Sequence, residues 1–197
     1  ELEGYQKIID GCRQVIENYK PTIDIDPSWE TKHMRDVCDL YQPKTITQKD
    51  LIEDGEFVVF GANGIIGRYD QFNHENPEVI VTCRGNTCGT VNRSQPFSWI
   101  TGNAMVCSPQ ETSKLSKDFL FYCLKDSDLS SVISGSAQPQ ITRSSIEKFS
   151  IPLPPIGVQQ QIVDELDRYQ KIIDGNKRLM GSFQAKIQDR ISKVWGE

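Results

Sequence analysis

The stretch "YQKIIDG" at residues 5–11 returns, letter for letter, at 169–175. The likeness extends beyond those letters. Residues 2–19, "LEGYQKIIDGCRQVIENY", align without gaps on 166–183, "LDRYQKIIDGNKRLMGSF". Apolar positions correspond throughout: Leu2 with Leu166, Tyr5 with Tyr169, Ile9 with Ile173, Val15 with Leu179, Ile16 with Met180, Tyr19 with Phe183. An exact match of this length near both ends of one chain reads as an internal repeat.

Both copies read as helices. From Gln159 onward Ile162, Leu166, Tyr169, Ile173, Met180, Phe183, Ile187 and Val194 recur at steps of four and three, which is a heptad seam. Asn176 and Arg190 fill the remaining seam positions, and Gly175 interrupts the run. A polar seam residue costs stability but fixes register. A helix over 157–195 would be about 58 Å long at 1.5 Å per residue, and such a helix has no core of its own, so it must pair. The first copy is shorter and ends where Pro21 and Pro27 break the pattern. The predicted pairing face is Tyr5, Ile9, Ile16, Leu166, Tyr169, Ile173, Met180, Phe183 and Ile187.

The sequence between the copies is of another kind. "EFVVFGANGIIGRYD" (56–70) places Asn63-Gly64 between two apolar runs, the pattern of a tight β-hairpin. "EVIVTCRG" (78–85) and "NAMVCSP" (103–109) read as strands. "SKLSKDFLFYCLKDS" (113–127) puts Leu115, Phe119, Tyr122 and Cys123 on one helical face. A short helix is expected near 128–133, a capped turn at Ser144-Ser145, and an exit linker at "IPLPPIG" (151–157). The fold class expected is α+β: a helix over 1–20, a mixed α/β domain over 21–156 and a long helix over 157–197.

The 197 residues carry a net charge of −5, which argues against wholesale coating of nucleic acid. Distribution matters more than the sum. Val79 through Gln110 contain no Asp or Glu but include Arg84 and Arg93; from Leu129 through Ser145 the one charge is Arg143. Such stretches suit a surface that approaches phosphates, or equally buried strands and turns. The six cysteines show no metal-ligand spacing and read as buried free thiols of a reducing cytoplasm. "GANGIIG" (61–67) lacks the Gly-Lys-Ser/Thr of a phosphate loop and the acidic residue of a dinucleotide site, so the hairpin explains it better. "CRGNTCG" (83–89) reads as a Gly-rich turn rather than an anion cradle, and "PLPP" (152–155) as a connector rather than a polyproline ligand. His33 and His74 have no nucleophile-and-carboxylate set around them, and no apolar run approaches the roughly 18 residues of a membrane span. No catalytic residue, metal or cofactor is expected.

In this order "SWETKHMRDVCDL" (28–40), "FVVFGANGIIGRYD", "VIVTCRGNTCGTV", "TGNAMVCS", "SGSAQPQITRSSIEKFSIPLPP" (134–155), "QQQIVDELD" and the closing "KIQDRISKVWGE" resemble the specificity subunit of type I restriction-modification systems. The resemblance covers nearly the whole chain. It implies a non-catalytic, cytoplasmic DNA-binding protein, in which a target recognition domain reads one half of a split site. Its flanking helices would pack antiparallel as a rod that spaces the halves and docks the modification (methyltransferase) subunit. It implies double-stranded DNA, the modification subunit and the restriction subunit as partners, with no membrane. A complete subunit has two recognition domains; this chain has one, so it resembles a half-subunit or the C-terminal piece of a methyltransferase-specificity fusion. A half would form a homodimer through its helices. The Asn-Pro-Pro-aromatic tetrapeptide linked to adenine amino-methyltransfer is absent.

Arg, Asn and Gln supply the paired donors and acceptors that base edges need. The residues expected at DNA are therefore Asn63, Arg68 and Tyr69 around the hairpin; Arg84, Asn86, Asn92, Arg93 and Gln95 in the first carboxylate-free stretch; and Gln138, Gln140 and Arg143 in the second. The rival reading is a protein-interaction module displayed on a helical hairpin, which would share the heptads and need no DNA.

Overall fold

The structure is a computed structural model that describes residues 2–19, 22–61 and 63–195, excepting the side chains of Val194 and Trp195. Pro21 as a helix breaker, Ala62 of the hairpin, Val194 in the seam and the last two letters of "KIQDRISKVWGE" lie outside the described residues. The chain divides into two compact units. One joins the two ends, Glu1–Thr22 with Val163–Glu197, and the other is Ile23–Ile162.

The end unit is two helices, α1 (Leu2–Asn18) and the part of α5 (Ile156–Trp195) that lies beyond residue 162. α5 runs unbroken through Gly175, although glycine costs a helix interior about 1 kcal/mol relative to alanine. The helices are antiparallel neighbours: the Tyr5 ring lies 5.1 Å from Phe183 and the Tyr19 ring 4.6 Å from Tyr169. These contacts exchange the repeat positions. Tyr5 meets the counterpart of Tyr19, and Tyr19 meets the counterpart of Tyr5. A local pseudo-two-fold axis therefore passes midway, between Cys12 and Asn176. Cys12 is buried there, while Asn176 Nδ2 donates back to the Ile172 carbonyl of its own helix at 3.1 Å. Ile9 and Ile173, equivalent in the repeat, are 2% and 9% exposed.

In the middle unit a four-stranded antiparallel sheet has the order β2 (Cys38–Tyr41), β8 (Ala104–Pro109), β5 (Val79–Thr82), β6 (Val91–Arg93). A three-stranded sheet has the order β4 (Gly64–Tyr69), β3 (Phe57–Gly61), β7 (Trp99–Ile100), with β7 parallel to β3. Asn63 lies in the turn of the β3–β4 hairpin, while Gly64, at φ +110°, opens β4 opposite Gly61, so the turn sits one residue earlier than the expected Asn63-Gly64 pair. Phe60, Ile80, Ile100, Ala104 and Val106 cluster as the core. β5 is buried at every position, which is why it reads as an apolar run rather than an alternation.

α3 (Lys117–Asp126) packs Phe119, Leu120, Cys123 and Leu124 inward and contacts β5, β6 and β8. Its first turn is capped by Ser116 Oγ, which accepts from Phe119 N at 3.0 Å, and Ser127 Oγ donates to the Cys123 carbonyl at 2.6 Å to close its last turn. The short helix expected near 128–133 is a 3-10 turn, Leu129–Val132, with Asp128 as its cap. The capped turn is α4 (Arg143–Ile146), with Thr142 as the capping residue.

The exit linker differs from expectation. Ser150–Leu153 forms β11, antiparallel to β1 (Glu30–His33), and Pro152 pairs opposite Thr31 in a sheet of two edge strands. Proline is tolerated there because the missing N–H can face away from the partner. Gly157 already lies inside α5. Two residues on, Gln159 is fully buried: its carbonyl oxygen accepts from Ser116 N at 3.0 Å while its amide donates to the Lys114 carbonyl at 2.7 Å and the Pro154 carbonyl at 2.8 Å.

Candidate nucleic-acid interface

At the end of β5 three loops are tied together by backbone hydrogen bonds. Cys83 N donates to the Asn103 carbonyl at 2.9 Å, Ile141 N to the Cys83 carbonyl at 2.9 Å, and Gly85 N to the Pro139 carbonyl at 3.0 Å. Arg84 and Gln140 face each other as an antiparallel bridge. Thr101 N donates to the Phe60 carbonyl at 2.9 Å, which brings the end of β3, and with it the hairpin tip, to the same end of the core. The two carboxylate-free stretches, separated in sequence by all of α3, thus meet edge to edge.

Period-two alternation decides what they present. Cys83 and Ile141 point inward at 0% and 2% exposure, so their neighbours Arg84 and Gln140 point outward. Gly85 at φ +84° and the Cys88 N to Gly85 carbonyl bond of 2.9 Å turn the first loop tightly. Gly135 at φ +85° turns the second, where an added Cβ would stand 2.6 Å from the Gln138 carbonyl.

Of the expected contact residues, the structure gathers five at this end: Asn63, Arg84, Asn86, Gln138 and Gln140. All are exposed, and their side chains have no hydrogen-bond or ion-pair partner among the described residues. Asn103, exposed beside them, and Gln42, whose amide donates to the Gly102 carbonyl at 2.9 Å, were not anticipated. Asn103 reads in the sequence as the start of a strand. The signal for a turn was Gly102-Asn103, a turn pair placed between two apolar runs.

The other expected contacts are engaged by other groups or lie elsewhere. Arg68 donates through Nε to the Gly55 carbonyl and through a terminal nitrogen to the Glu56 carbonyl at 2.6 Å. Tyr69 is half-buried, edge-on to Trp99 at 5.4 Å, at the end of β4 away from the hairpin tip. Arg93 pairs with Asp118 at 3.0 Å and lies 4.4 Å over the Phe121 ring, at the Val79 end of β5 rather than the Arg84 end. Asn92 is half-buried opposite Ile80, with its Nδ2 buried and unpartnered. Gln95 is exposed but follows Ser94, whose N donates to the Glu78 carbonyl at the same far end. Arg143 forms an i,i+4 ion pair with Glu147 at 2.8 Å. Composition could not separate Arg68 and Arg93 from Arg84, because their partners are backbone carbonyls or lie far along the chain, whereas the i,i+4 spacing of Arg143 and Glu147 was visible in the sequence.

The helical seam residues are likewise located. Tyr5, Ile16, Tyr169, Met180, Phe183 and Ile187 are half-buried, and Ile9, Leu166 and Ile173 are buried. Tyr169 Oη donates to Glu165 at 2.9 Å, and hydrogen bonding with Tyr19 and Glu165 pushes its hydroxyl up to about 12.

All six cysteines are free. Burial pushes Cys38 and Cys123 up to about 12 and Cys83 to about 11, which favours the protonated thiol at neutral pH. Among the described residues no cluster of three or more metal-ligating side chains occurs, and no helix is long and apolar enough to cross a membrane. His33 Nδ1 lies 2.9 Å from the Lys148 carbonyl. His74 Nε2 lies 3.0 Å from Tyr41 Oη, and its Nδ1 lies 2.6 Å from Asn73 Oδ1.

Residues 27–180 match the family described as the type I restriction modification DNA specificity domain. The chain belongs to this family. A protein named as a type I specificity subunit in Mycoplasma pneumoniae is 28% identical over 162 residues, covering 79% of this chain and 53% of that protein. The EcoprrI type I restriction enzyme specificity subunit of Escherichia coli is 25% identical over 142 residues, covering 70% of this chain and 35% of its own length. The chain thus spans about half the length, or less, of the curated relatives it matches. The fold is shared with solved structures. The S subunit of the type I system from M. genitalium aligns with a TM-score of 0.66 at 18% identity, over 78% of this chain and 42% of that one. A chain from a study of type I assembly and conformational transition aligns with a TM-score of 0.68 at 18% identity, over 98% and 52%.

Proposed function

We propose that this chain is the DNA-reading part of a type I specificity subunit. The middle unit reads one half of a split duplex site, and the paired helices carry the partners. The observation that carries this reading is the junction of two carboxylate-free stretches at the Arg84–Gln140 bridge, which gathers exposed, unpartnered amide and guanidinium side chains in an otherwise acidic protein. Base-edge readout needs such donors and acceptors, free and held on a rigid backbone.

The helices support the second half of the proposal. Ile8, Val15, Ile172 and Leu179 stay between 39% and 53% exposed, although the seam beside them is covered. Ile8 is the repeat counterpart of Ile172, and Val15 of Leu179. The pseudo-two-fold axis therefore sets all four on one face of the pair, and this flank docks the modification subunit. The restriction subunit joins through that complex, and a homodimer formed through the helices supplies the second reader. Function is non-catalytic and takes place in the cytoplasm: methyl transfer belongs to the partner. In this reading the helices outside 21–156 carry the partners and the reader lies within. A pure protein-interaction module would explain the flank but not the face at Arg84.

The test is methylome sequencing of cells with and without the intact gene. One split adenine-methylation motif should vanish with the gene. An unchanged methylome in a strain with an active partner methyltransferase refutes the reading.

A further inference from the structure

We infer that Arg84 and Gln140 form a two-residue reading head that recognises one guanine and one adenine within two base pairs of each other. This rests on the DNA-reading role proposed above and adds which bases are read and by what.

The middle unit contains five arginines, Arg35, Arg68, Arg84, Arg93 and Arg143. Four have their charge or donors occupied: Arg35 lies 3.5 Å from Asp36, Arg93 3.0 Å from Asp118 and Arg143 2.8 Å from Glu147, and Arg68 is spent on the carbonyls of Gly55 and Glu56. Of these five, Arg84 alone keeps its N–H donors unspent among the described residues. Gln140 opposite it likewise keeps its amide free.

Directly opposed residues of an antiparallel pair project to the same face with Cβ atoms about 5 Å apart. Successive base pairs lie about 3.4 Å apart along the duplex. Two side chains at this spacing therefore meet neighbouring or next-but-one bases in one groove. Arginine fits guanine O6 and N7 through its fork, and glutamine fits adenine N6 and N7 through its amide. The backbone beneath them is set by the Gly85–Pro139 and Ile141–Cys83 bonds, so little ordering is left to do on binding. Between residues 79 and 110 and between 129 and 145 no carboxylate stands to repel phosphates.

The experiment uses the complex of this chain with its modification subunit and duplexes carrying the motif or single base replacements of it. Arg84→Ala should lower the preference for the cognate duplex over one with a replaced guanine by about 10-fold or more. Arg84→Lys keeps the charge without the fork and should lose most of the same preference. Gln140→Ala should relax discrimination at one adenine only. Because neither side chain has a partner in the fold, thermal unfolding of the variants should overlay the parent. Arg84→Lys with undiminished discrimination overturns the inference. So does Arg84→Ala weakening every duplex equally while the salt dependence falls by about one counterion, which would make Arg84 a phosphate contact. Either result leaves the DNA-reading role standing; a parent complex that prefers no sequence removes that role as well.

Discussion

The helical pair and the middle unit solve the burial problem in opposite ways. In the pair, α1 and α5 present the same apolar positions twice, and the contacts Tyr5–Phe183 and Tyr19–Tyr169 are one contact used twice. In the middle unit no contact is used twice. β5 is covered by β8 and β6 from elsewhere in the chain, β3 lies beside β7 in parallel, and β1 pairs with β11 across more than a hundred residues of sequence. A periodic interface is written in one dimension, so a copied segment supplies both sides. A body of long-range pairings is written in no single stretch, so each strand's cover comes from a different part of the chain.

The largest effect is expected where a polar residue serves the second solution inside an element that resembles the first. "QQQ" at 159–161 opens the heptad run of α5, yet Gln159 is 0% exposed and makes three hydrogen bonds, whereas Gln161 is exposed. Gln159→Leu leaves Ser116 N and the carbonyls of Lys114 and Pro154 without that partner, at about 3 kcal/mol in total. Gln161→Leu should stay within about 0.5 kcal/mol. Urea unfolding of the two variants checks the contrast. Equal costs would mean that α5 is a plain heptad helix from its first turn, and the comparison would break there.

Much of this was legible in the sequence because it was local. The seam, the β3–β4 hairpin, the runs that became β5 and β8 and the capped α3 all rest on spacing within a few residues, and the repeat is a match of letters that needs no knowledge of pairing. The pairings were not legible. Pro152 suggested a linker, because nothing near it in sequence reveals that Thr31 would lie opposite. Arg84, Arg93 and Arg143 were equivalent as letters. Only folding puts Asp118 and Phe121 around Arg93 and leaves Arg84 beside Gln140, whereas the spacing of Arg143 and Glu147 already offered an i,i+4 pair. The junction of the two carboxylate-free stretches was the part of the site that composition hinted at and topology completed.

A second measurement sharpens the symmetric side of the comparison. Ile9 and Ile173 are repeat equivalents and both are buried. If the pseudo-two-fold governs the pair, Ile9→Ala and Ile173→Ala should cost the same, about 2 kcal/mol each, the low end for a truncated aliphatic in a narrow interface. A gap above about 1 kcal/mol between them, read from chemical denaturation, would show that the copies have diverged into unequal halves.

The smallest effect separates the two regions by pH. Both histidines, His33 and His74, belong to the middle unit, and the helical pair has none. Burial lowers the pKa of His74 below its usual 6.5; Glu78 opposes that shift and Lys117 adds to it, while Tyr41 and Asn73 hold the ring. A lowered folded-state pKa means that the unfolded chain binds the proton more readily. The neutral ring's contribution is therefore complete above about pH 6.5 and is lost as pH falls through the folded-state value. Stability of the intact protein should decline as pH drops from 7 toward 5, and His74→Gln, which keeps a polar side chain without the titration, should flatten that decline. A decline of the same size in His74→Gln would place the acid sensitivity in groups other than this ring.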